Sequence, residues 1–101
     1  MKMTSVTYEA GLKEDLANPV EAAAYLNAAL EEGSQDVFLM ALRDVAGANG
    51  IARVARKSTL NRENLYRLLS GKGNPQLSSL ESLLEAMGLK LAIEVKKTAA
   101  A

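Results

Sequence analysis

The chain has 101 residues, with 12 Lys and Arg balanced by 12 Asp and Glu and with neither cysteine nor histidine. That length suits one domain that removes roughly 60 to 70 per cent of its unfolded surface from water, and the missing residue types exclude disulfides, thiol nucleophiles, imidazole bases and the usual zinc sites. The neutral total conceals a split: residues 1–50 hold three basic and eight acidic residues, or minus five, whereas residues 51–75 hold six basic residues and one acid, or plus five.

Local potential rather than net charge steers encounter, so such a chain is expected to offer one face to a polyanion and another to something else. No run approaches the roughly 18 to 20 apolar residues needed to cross a bilayer, and the opening MKMTSVTYEAG lacks the apolar stretch of a signal peptide. A cytoplasmic protein without membrane contact is expected.

Residues 1–17 show no helical period. Thr4, Val6 and Tyr8 alternate with small polar neighbours, which suits a short strand or a loose arm. Asn18-Pro19-Val20-Glu21 then opens a helix: Asn18 can cap, Pro19 stands where no amide donor is needed, and Glu21 can reach back. This helix runs to Gly33 with Ala22, Ala23, Leu26, Ala29 and Leu30 on one side.

Ser34 can cap the next helix, expected over roughly residues 35–46 and broken by Gly47 and Asn49-Gly50. Phe38, Ala41, Leu42 and Val45 form its inner stripe. Val37, Leu39 and Met40 lie outside that stripe, so the helix is either buried from two sides or exposed at a partner surface.

Two short helices are expected over roughly residues 51–58 and 62–70. Ser78-Ser79-Leu80-Glu81 reads as a second capping box, opening a helix that turns Leu80, Leu83, Leu84 and Met87 inward and ends at Gly88. Leu89, Leu91, Ile93 and Val95 then alternate with Lys90, Ala92 and Glu94, the period of a strand. A lone strand needs a partner: the arm near Val6, its copy in a second subunit, or another protein's sheet. Residues 96–101 read as a tail, which leaves 18–95 as the domain.

The stretch IARVARKSTLNRENLYRLLSGKGNP, residues 51–75, has the pattern of a DNA-reading helix-turn-helix. Two closely crossing helices need a small residue at the contact and an apolar plug after the turn, and Ala55 and Leu60 supply these. Val54, Leu65, Leu68 and Leu69 would hold the second helix to the body. Asn61 would cap it, leaving Arg62, Glu63, Asn64, Tyr66, Arg67 and Ser70 off the core-facing stripe.

Ala55, Leu60, Leu65 and the trailing Gly71-Lys72-Gly73-Asn74-Pro75 resemble the Cro and phage-repressor (XRE) class of helix-turn-helix domain. More narrowly, NPVEAAAYLNAALEEG, FLMALRDVA and LNRENLYRLLSGKGNPQLSSLESLLEAMGLKL, in that order, resemble the addiction-module antidote family, a HigA-like group of antitoxins. The resemblance spans about residues 12–95. It implies an all-α fold, a five-helix lambda-repressor-like domain, to which the period-two segment would add a short C-terminal β-strand. Two positions depart from the pattern. Thr59 stands where the turn usually carries a left-handed glycine, so strain or a different turn is expected, and Ile51 replaces a polar residue that touches phosphate.

With the second helix in a major groove, Arg62 and Arg67 are the candidates for paired hydrogen bonds to guanine, each worth about 1 to 3 kcal/mol of discrimination. Asn61 or Asn64 would read adenine, and Glu63 would accept from a cytosine amine or repel phosphates. Tyr66, Arg53, Arg56, Lys57, Ser70 and Lys72 are assigned to the DNA backbone. Dimerisation, placing two such helices roughly 34 Å apart on a palindrome, is expected through Leu89, Leu91, Ile93 and Val95 and the helix from Ser79 to Met87.

The resemblance further implies a small HigB/RelE-like toxin as partner and repression of the shared promoter through operator DNA. By the sign of charge, the acidic N-terminal half would meet that basic toxin. No enzyme, cofactor, metal or small-molecule substrate is expected. The alternatives are a stand-alone XRE-type repressor without a toxin, and an interaction module that kept the fold and lost DNA binding.

Overall fold

The computed structural model describes residues 15–71 and 74–97. Its helices are α1 (Pro19–Glu31), α2 (Gln35–Asn49), α3 (Ile51–Lys57), α4 (Arg62–Leu69) and α5 (Leu77–Ala86), preceded by helical residues 15–17. The fold is all-helical over the described residues.

Asn18 starts α1 as expected: its backbone is extended and its Oδ1 accepts the Val20 N–H at 2.8 Å, with Pro19 in the first turn. Ala22, Leu26 and Ala29 are buried, but Leu30 is exposed, so the apolar stripe is narrower than its alanine content suggests. Residues 15–17 are helical, and Leu16 belongs to the core. Residues 1–14, including Val6, lie outside the described residues.

Helix α2 runs three residues past the expected end, through Gly47 to Asn49, and stops where Gly50 takes φ +93°. A glycine inside a helix costs only about 1 kcal/mol relative to alanine, which the burial of Val45 and Ala46 beside it outweighs. Leu39 was expected outside the stripe and is buried, as are Phe38, Ala41 and Leu42. The reason is position: α2 is the central helix and packs against α1, α3 and α4. Only Val37 and Met40 of its apolar residues stay open to solvent.

Helix α5 opens at Leu77 with Gln76 at its N-cap and no side-chain cap, so Ser78 and Ser79 sit inside the first turn rather than forming the expected capping box. Its end follows the expectation. Gly88 at φ +79° donates to Glu85 O, and Leu89 N–H reaches back to Leu84 O at 2.8 Å, a Schellman closure that folds Leu89 against the core.

The segment Leu89, Leu91, Ile93, Val95 is not a strand among the described residues, where residues 89–97 form no helix or ladder. A strand exists only where its amides and carbonyls meet a second strand, and no described part of the chain presents one.

Candidate nucleic-acid interface

The candidate surface is built by α3, the four residues after it, and α4. Val54 seals α3 to the core and Leu65, Leu68 and Leu69 do the same for α4, while Ala55 and Leu60 are half-buried against it. Ile51 also packs on the core rather than facing out.

The turn departs from a glycine-type left-handed corner. No non-glycine residue among those described has positive φ, and Ser58 is extended at φ −88°, ψ 163°. Thr59 is held from outside the motif instead. Its N–H donates to Ser82 Oγ at 2.9 Å, and the two hydroxyls lie 2.8 Å apart. This β-branched residue therefore carries no left-handed strain, and it is anchored on α5.

Asn61 caps α4, accepting the Asn64 N–H on Oδ1 at 2.8 Å. With that oxygen engaged, Asn64 has the freer amide of the two. Arg62, Glu63, Asn64, Tyr66, Arg67 and Ser70 all lie exposed on the outer side of α4. Arg67 Nη2 is 3.8 Å from Glu63 Oε1, with both side chains more than 70% exposed, and the Arg62 guanidinium stands 6.0 Å from the Tyr66 ring centre. These are loose contacts that water competes with, worth a few tenths of a kcal/mol, so the guanidinium groups remain available. Ser70 donates its hydroxyl proton to Arg67 O at 2.7 Å, which leaves it acceptor capacity only.

On α3, Arg53, Arg56 and Lys57 are exposed. Lys72 lies outside the described residues. A cleft of about 390 Å³ opens beside α4 between Asn64, Arg67 and the Asn74 to Ser79 segment. The charge division seen along the chain recurs on its elements: Glu21, Glu31, Glu32, Asp36 and Asp44 are exposed on α1 and α2.

Two contacts had no local signature. Ser82 holds a turn 23 residues away, and Tyr25 on α1 donates to Asp44 Oδ2 on α2 at 2.8 Å. Only the packing of the helices brings these pairs together.

A family model described as "Probable addiction module antidote protein" matches residues 3–95. The chain belongs to the addiction-module antidote family. A protein of Haemophilus influenzae, described only as uncharacterized, is 32% identical over 97 residues, covering 96% of this chain and all of that relative. No solved structure matches. The antidote family's span begins at residue 3, so it takes in the segment read from sequence as a separate arm. Among the described residues of this antidote, no helix is long and apolar enough to cross a membrane.

Proposed function

We propose that this chain is the antitoxin of a type II toxin–antitoxin module, a non-enzymatic cytoplasmic protein that binds a HigB/RelE-like toxin and, as a dimer, represses its own operon. The observation that carries the DNA half is the outer side of α4, where Arg62, Asn64 and Arg67 stand exposed on a helix whose opposite side is locked to the core by Leu65, Leu68 and Leu69. A core-anchored helix with solvent-exposed guanidinium groups suits a major groove, and Arg53, Arg56 and Lys57 on the neighbouring helix suit the flanking phosphates. The proposed frame for α3 and α4 is a lambda-repressor-like helix-turn-helix.

The toxin half rests on family membership and on charge. Between α1 and α2 runs a groove of about 360 Å³ lined by Ala28, Ala29, Val37, Met40 and Ala41 together with Tyr25, Glu32 and Asp44. Apolar contact with an anionic border suits a small basic protein.

One experiment tests both halves. The chain is co-expressed with the small protein encoded beside it, purified, and titrated with DNA from upstream of its own gene. Co-purification and a salt-sensitive shift are expected. A shift without a bound partner would favour the stand-alone repressor, and loss of both would leave an interaction module.

A further inference from the structure

Residues 89–97 leave the domain with their apolar side chains uncovered: Leu91 is 40% exposed, Ile93 100% and Val95 94%. Nearby, Val20 is 76% exposed beside Pro19, whose ring lies 3.5 Å from the Cβ position of Gly88 where the segment departs. An alternating segment with an exposed apolar row is one that a second strand would cover.

From this self-complementary pattern we infer that the segment pairs antiparallel with the same segment of a second copy, in one register, with Ala92 opposite Ala92 on the two-fold axis. This deepens the dimer reading above and rests on it. In an antiparallel pair, directly opposite residues share a face, so only registers that keep apolar opposite apolar are open. Centring on Ala92 sets Leu91 opposite Ile93 and Leu89 opposite Val95 on one face, and Lys90 opposite Glu94 twice on the other.

The neighbouring registers fail on chemistry. Centring on Ile93 sets Lys90 against Lys96 and Leu89 against Lys97. Centring on Leu91 recruits Gly88, whose φ of +79° already belongs to the helix-ending turn. Parallel pairing in register stacks Lys90 on Lys90 and Glu94 on Glu94. A second copy is the fitting occupant because the one segment supplies both members of every pair, the mark of an isologous contact. Leu89, already against the core, makes the ribbon's apolar face continuous with the domain.

The full chain has no cysteine, so single thiols can be introduced cleanly. Opposite residues in an antiparallel pair have Cα atoms about 4.5 to 5.5 Å apart, within disulfide range. Ala92→Cys is expected to form a disulfide-linked dimer under mild oxidation, and Glu94→Cys is not. By sedimentation, Lys90→Glu should raise the dimer dissociation constant about tenfold, and adding Glu94→Lys should restore it. A wild-type dimer that Ala92→Cys fails to cross-link, or that Lys90→Glu leaves unchanged, overturns the register while the dimer stands. A monomeric wild type overturns both, and points to pairing with another protein's sheet.

Discussion

The hydroxyl of Ser82 touches both the hydroxyl and the backbone N–H of Thr59, so α5 fixes the corner between α3 and α4. A hydrogen bond of this kind contributes about 1 kcal/mol. Ser82→Ala should therefore lower Tm by about 4 to 8 °C. Thr59→Gly should also destabilise, since the position has no left-handed backbone for glycine to relieve and the unfolded chain gains freedom. A rise in Tm for Thr59→Gly, measured by calorimetry, would contradict this account of the turn.

The two sides of α4 should separate in mutational effect. Leu65 is fully buried, and Leu65→Ala should cost about 2 to 5 kcal/mol. Tyr66 is half open to solvent, and Tyr66→Ala should change stability by less than about 0.5 kcal/mol. Urea titration of the two variants checks this directly. Similar losses for both would mean that α4 packs the other way round.

Much of this frame was legible in the sequence because the signals are local. Asn18, Ser34 and Asn61 are caps in the structure as in the reading, and the apolar spacing of Leu65, Leu68 and Leu69 turned α4 the right way. The misses share a cause, which is that burial by a distant element outweighs a local rule. Gly47 did not end α2, Leu39 was covered by a second neighbour, and Leu16 was drawn into the core. Ser78 has no capping role because the helix already begins at Leu77 after Pro75. The expected strand over Leu89 to Val95 is missing for a different reason: period two describes a surface awaiting a partner, and the described residues do not supply one.

Glu63 sits beside Arg67 and faces outward with it. Against a polyanion its carboxylate is a repulsive charge, so Glu63→Gln should strengthen binding to random DNA at low salt. The check is fluorescence anisotropy at two salt concentrations. Weaker binding to random DNA would show that Glu63 is not near the phosphates.

The proposed toxin groove is separate from α4, and its perturbation should leave DNA binding intact. Met40 lines the groove and is 61% exposed, so Met40→Lys should fold normally yet reduce co-purification of a basic partner, through lost apolar contact and added like charge. Unchanged recovery of the partner would place the contact elsewhere.

The central claim is that the outer guanidinium groups of α4 read base sequence. The most direct test measures, at one fixed salt concentration, the ratio of affinities for DNA upstream of the chain's own gene and for random DNA, in the wild type, Arg67→Ala and Lys57→Ala. The account predicts that Arg67→Ala lowers this ratio by about five- to 150-fold, the equivalent of about 1 to 3 kcal/mol, whereas Lys57→Ala weakens binding to both DNAs alike and leaves the ratio unchanged. Equal loss on both DNAs for Arg67→Ala, or no preference for the upstream DNA in the wild type, would contradict it.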